Sequence, residues 1–196
     1  GTLDKTLDLP TCLEVAYDSS YLVTGYADGN ICVFDPKNFS FVTQINRQKK
    51  EDGSVGPITK IAFAQTDYKS IVACDRIGNI FQIHNFAKAN RSEVVLFEGS
   101  MPLRNIFMPK TDSPFLLFAD NNSVNVLNIE TREFADISSS PLGESIRFDA
   151  KVNTDGSVLL ITWNGTYFSM FRIESYTKIT SLFEKNFVNK IKECII

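Results

Sequence analysis

The sequence is poor in the groups from which most enzymes and metal centres are built. Its 196 residues contain one histidine, His84. A zinc site made of several imidazoles, or a mechanism that passes a proton between two of them, is therefore excluded. There are only four cysteines, Cys12, Cys32, Cys74 and Cys194, with no C-x-x-C pair among them. The first three sit inside apolar runs, so the set reads as buried free thiols rather than a disulfide framework. No P-loop, G-x-S-x-G or G-x-G-x-x-G occurs, which removes the commonest phosphate cradles and nucleophile elbows. No apolar run approaches the roughly 20 residues of a membrane-spanning helix. Nor is there an excess of one charge: 20 basic residues face 23 acidic ones, and the net charge is −3. Neither half is strongly basic, so a nucleic-acid surface is not expected. The reading is of a non-enzyme without cofactor or metal.

Hydrophobic residues make up 43% of the chain and include 16 phenylalanines, enough for a sizeable core. They are organised as a repeat. A short apolar run, an Asp/Asn/Gly turn and a second β-rich run recur at Tyr21–Asp35, Ser70–His84, Phe115–Asn128 and Val158–Phe171. The turn anchors Gly29, Gly78, Asn122 and Gly165 follow one another at intervals of 49, 44 and 43 residues. Gly and Asn are the residues that enter φ > 0 at low cost, as a tight hairpin requires. Another strand-like run precedes each phrase (Thr11–Tyr17, Ile58–Ala64, Leu103–Met108, Ile146–Val152). One more follows it (Phe39–Ile45, Glu93–Phe97, Phe134–Ser138, Lys178–Phe183). Each unit is thus four short antiparallel strands, and no long segment keeps a helical period. The tail from Phe183 to Ile196 fits either a helix face or the first strand of a further unit.

Four short strands recurring at this interval are the mark of a β-propeller blade. From about Leu9 to Phe183 the chain resembles the WD40-repeat proteins. The match is best at Leu22–Asp35, where Asp28-Gly29 resembles the family's turn and Phe34-Asp35 stands in the place of its Trp-Asp pair. In the other units that pair becomes Ile83-His84, Leu127-Asn128 and Met170-Phe171, and no Trp-Asp or Gly-His dipeptide occurs. His84 is in the wrong place for the family's buried hydrogen-bond network, so these blades are expected to depend on packing. The expected fold is all-β, a propeller of WD40-like blades at about 10–46, 57–98, 102–139 and 145–184, with 185–196 a tail or the start of another blade. Since the family's propellers usually close with more blades, the resemblance implies either a segment of a larger propeller or closure by a partner chain. Thr2–Leu9 is a candidate outer strand. The opening Gly1-Thr2, without Met, leads to the expectation of a piece of a longer protein.

Tyr26, Arg76 and Trp163 fall at the turn between the second and third strands of their units. Their residue types dominate interface energies, though Trp163 also fits a buried blade position. The longest polar connection carries Arg47, Lys49 and Lys50, followed by Glu51 and Asp52. It reads as a solvated loop or as a contact for an acidic partner. Asp28, Asp75 and Asp120 recur at what the pattern presents as equivalent turn positions, which points to turn capping rather than acid–base chemistry. His84, at a strand end next to a turn, reads as a surface or structural residue rather than a catalytic one. Sequons stand at Asn38, Asn90, Asn121 and Asn164, but unpaired thiols and no signal-peptide pattern lead to an intracellular expectation. The implied function is a non-catalytic protein-interaction scaffold within a larger assembly. The alternative is a propeller that reads a phosphoinositide or nucleic acid through its basic loops. The Phe-Arg-Arg-Gly motif of phosphoinositide-binding propellers is absent.

Overall fold

The computed structural model describes residues 8–47, 56–63, 69–109, 114–139 and 146–186. Among them are sixteen strands in four sheets, and within each sheet the strands lie side by side in chain order. The first sheet is β1 (Pro10–Val15), β2 (Leu22–Tyr26), β3 (Ile31–Phe34) and β4 (Phe41–Ile45). The second is β5 (Ile58–Phe63), β6 (Ser70–Asp75), β7 (Ile80–His84) and β8 (Ser92–Phe97). The third is β9 (Asn105–Phe107), β10 (Phe115–Ala119), β11 (Ser123–Asn128) and β12 (Phe134–Ser139). The fourth is β13 (Arg147–Val152), β14 (Val158–Trp163), β15 (Tyr167–Ser175) and β16 (Lys178–Asn186). Every pairing is antiparallel.

Burial explains the two kinds of apolar run. The second strands, and the third strands of the first three sheets, are largely covered on both faces, so Leu-Val-Thr-Gly-Tyr of β2 and Phe-Leu-Leu-Phe-Ala of β10 are wholly buried, whereas β15 alternates and exposes Arg172 and Glu174. A strand covered on both sides has no reason to alternate. The first and fourth strands alternate or lie open: β1 exposes Leu13 and Val15, and β16 is almost entirely exposed. Lys178, Glu184 and Lys185 on that outer strand discourage pairing with other chains.

The chain divides into two compact units, 1–103 and 104–196, each holding two sheets. In the first unit, Val23, Ile31 and Val33 of one sheet join Ile58, Ile61, Ile71 and Phe81 of the other in a single core. The sheets approach closely at Gly25, where a Cβ atom would lie 2.6 Å from Cγ2 of Ile58. Phe86 closes the other end, edge-on to Tyr21 at 5.2 Å and to Phe63 at 5.7 Å between ring centroids. In the second unit, Leu117, Val124 and Val126 pack with Ile146, Phe148, Leu160 and Phe171. Buried hydroxyls join its sheets as well: Thr162 Oγ1 donates to Ser138 Oγ at 3.2 Å, with Ser169 Oγ 3.1 Å away.

The turns correct two details of the sequence reading. The backbone register makes Tyr26, Asp75, Asp120 and Asn164 the equivalent residues: the N–H of each donates across the turn, to Asn30, Asn79, Ser123 and Tyr167. Asp28 lies two residues further on. Capping is nonetheless general. One oxygen of Asp75 accepts from the N–H groups of Ile77, Gly78 and Asn79. Asp120 takes Asn122 and Ser123, Asn164 takes Thr166 and Tyr167, and Asp28 takes Asn30. The second difference is conformational. Gly29 and Gly78 have φ of 82° and 111°, whereas Asn122 and Gly165 are not among the described residues at positive φ. The turns of the second unit are one residue shorter, and a side-chain oxygen closes them without left-handed backbone.

Candidate functional site

The clearest polar cluster of the first unit is internal. Arg47, just after β4, places its guanidinium 3.6 Å from the ring centroid of Phe81 and 3.1 Å from Asp75 Oδ2, with Glu93 at 3.4 Å. Its side chain is 9% exposed and that of Asp75 1%. A planar guanidinium can lie on the ring and reach carboxylates at the same time, which the compact ammonium of Lys does less well. The sequence reading puts Arg47 in a solvated basic loop; the structure turns it inward as a tie between the two sheets. Lys49 and Lys50 lie outside the described residues.

The second unit has an open counterpart. A cavity of about 420 Å³ is lined by Arg104, Asn105, Ala119, Ile146, Arg147, Phe148 and Trp163. Sheet register builds it. An antiparallel first strand begins where the second ends, so Asn105 pairs with Ala119, and Arg147 with Trp163. Cross-strand partners project to the same face, so Arg147 and Trp163 are neighbours by construction. Trp163, 8% exposed, occupies the register position that Gly25, Cys74 and Ala119 hold in the other sheets. Arg104 and Arg147 are exposed, and no carboxylate pairs with either among the described residues. Asn121 fixes the arrangement: its side-chain oxygen accepts from Arg104 Nε at 2.9 Å, and its carbonyl accepts from the N–H of Ile146 at 3.3 Å.

Trp163 is thus the residue of the sequence-derived set that reaches this cavity. Tyr26 and Arg76 occupy the corresponding turns of the first unit. Tyr26 is 7% exposed, and burial pushes its phenol up. Arg76 is exposed, with its N–H bonded to the carbonyl of Pro57. Sequence reasoning missed Arg104, Arg147 and Asn121. The available signal was positional, since both arginines stand where a first strand starts, beside the turn already singled out.

His84 pairs across the sheet with Ser70, whose Oγ lies 3.1 Å from Nδ1. Cys12, Cys32 and Cys74 are free thiols, and burial pushes Cys32 up to about 11 and Cys74 up to about 12. Cys194 lies outside the described residues. Among the described residues there is no group of His, Cys, Asp and Glu that would hold a metal ion, and no helix long and apolar enough to cross a membrane.

No family model matches the sequence, and no curated protein matches it. Solved structures are similar in fold. A chain in the crystal structure of the mitotic checkpoint complex aligns with a TM-score of 0.69 and 14% identity, over 92% of this chain and 52% of that one. The fold is a β-propeller. The N-terminal domain of Nup159 gives a TM-score of 0.64 and 10% identity, over 92% of this chain and 46% of that one. The computationally designed Ika4 protein gives 0.57 and 16%, over 83% of this chain and 95% of its own. The chain therefore spans about half the length of the checkpoint-complex and Nup159 chains. The four sheets are propeller blades, and at these identities the likeness concerns the fold alone.

Proposed function

We propose that this chain is a non-catalytic interaction scaffold with WD40-like blades, part of an intracellular protein assembly, and that the Arg104–Arg147–Trp163 face of its second unit is where another protein docks. The observation that carries the reading is an exposed pair of guanidinium groups beside a tryptophan, in a cavity lined otherwise by Asn105, Ala119, Ile146 and Phe148. Arg and Trp are among the residues that most often anchor protein interfaces. The largely buried strands β10, β11 and β14 give the face a fixed backbone, and Trp163 is itself buried, so ordering this part of the face costs little on binding. The neighbouring folds support a scaffold role, since one comes from a multi-protein complex. Further blades, or a partner chain, complete the propeller in this reading.

Affinity purification from the native cell tests it. The wild-type chain is expected to retain a defined set of proteins, and Arg104→Glu with Arg147→Glu to lose at least one of them. Retention of the same set by the reversed variant, with its melting temperature unchanged, contradicts the assignment of this face.

A further inference from the structure

We infer that the cavity takes the carboxylate of an acidic side chain, presented by an extended segment of a partner protein beside an apolar residue that packs on Trp163. The inference rests on the scaffold reading and specifies its partner. Arg104 and Arg147 line the cavity, and among the described residues no carboxylate lines it with them. The two guanidinium groups are exposed, and the planar fork of each matches a carboxylate through bidentate, charge-assisted hydrogen bonds. Asn121 matters because it is neutral. Its amide oxygen orients Arg104 at 2.9 Å and brings no negative charge to it.

The first unit provides the contrast. Its cavity of about 420 Å³ contains Arg91 together with Glu93. Arg91 donates to Thr43 Oγ1 at 3.4 Å, and Arg47 nearby is matched by Asp75 and Glu93. There the buried guanidinium of Arg47 is balanced by carboxylates, whereas Arg91, like Arg104, has a neutral oxygen partner; among the described residues no carboxylate balances Arg104 or Arg147. The volume, in the range of small-ligand sites, holds an acidic and an apolar side chain. A net charge of −3 disfavours a long polyanion such as nucleic acid and does not oppose a single compact carboxylate.

Fluorescence polarisation with the intact chain tests this. The probe is a labelled peptide of about ten residues with Glu-Leu-Glu at its centre, alongside Gln-Leu-Gln and phosphoserine counterparts and a single-stranded oligonucleotide. The Glu peptide is expected to bind about tenfold or more tightly than the Gln peptide, and to weaken as salt rises. Arg104→Gln with Arg147→Gln is expected to abolish that difference. Asn121→Asp, which supplies Arg104 with an internal counterion and keeps its acceptor, is expected to weaken binding several-fold at unchanged melting temperature. Equal affinity for Glu and Gln peptides overturns the inference, as does tighter binding of the phosphopeptide or oligonucleotide. If native partners depend on both arginines yet bind as well after their acidic residues become amides, the docking face stands and the carboxylate does not.

Discussion

Arg47 and Asp75 are separated by 28 residues in sequence and by 3.1 Å in space, in a pair almost closed to solvent. The contact joins the end of the first blade to the principal turn of the second. Removing one partner leaves a buried charge on the other. Arg47→Ala is therefore expected to lower unfolding stability by roughly 3 kcal/mol. Arg47→Lys should recover only part of this, because an ammonium cannot reproduce the planar stack on Phe81. Urea unfolding followed by tryptophan fluorescence and circular dichroism measures both. An unchanged midpoint in Arg47→Ala would remove the proposed tie.

Two glycines at positive φ separate backbone strain from crowding. Gly156, at φ 81°, has open space where a Cβ would go; Gly78, at φ 111°, has the carbonyl oxygen of Met101 2.3 Å away. Gly156→Ala is expected to cost about 1–2 kcal/mol, the conformational term alone. Gly78→Ala should cost clearly more, since backbone and not a flexible side chain must move. Thermal melts of the two variants decide this, and equal losses would show that crowding at Met101 is relieved cheaply.

The buried thiols set a sign for the alkaline response. Folding holds Cys74 up to about 12, against its ordinary 9.0, through burial opposed in part by a hydrogen bond with Thr59. Cys32 is raised to about 11 by burial and then by the nearby Asp28. Above pH 9 the unfolded chain releases these protons while the folded chain keeps them, so stability falls as pH rises from there towards the folded values. Below pH 9 the thiols contribute no slope. The melting temperature should decline more steeply above pH 9 in the wild type than in Cys74→Ala. Parallel profiles would contradict the assignment.

Much of the architecture was legible because a blade writes itself locally. Antiparallel neighbours joined by short turns need only apolar runs and Asx or Gly punctuation, and both recur in step. Turn equivalence was harder to read. Asp28 and Asp75 look alike in sequence, yet register shows Tyr26 to be the counterpart of Asp75, because identical turn chemistry can be placed two residues apart. Arg47 was read by its Lys49 and Lys50 neighbours, whereas Phe81, Asp75 and Glu93 decide its fate, and they are distant in sequence. The Arg104–Arg147 pair was hidden for the same reason: two strand starts that are far apart along the chain meet only when their sheets pack. Trp163 was visible because a lone tryptophan at a turn stands out; its partners were ordinary arginines.

Amide hydrogen exchange on the chain, alone and bound to a protein recovered with it, tests the docking face most directly. Protection is expected around Arg104–Phe107, Asp120–Ser123, Ile146–Phe148 and Trp163–Tyr167, and is expected to vanish with Arg104→Glu and Arg147→Glu. Protection confined to the outer strand Lys178–Asn186 or to the first unit, with those segments unchanged, would contradict the account.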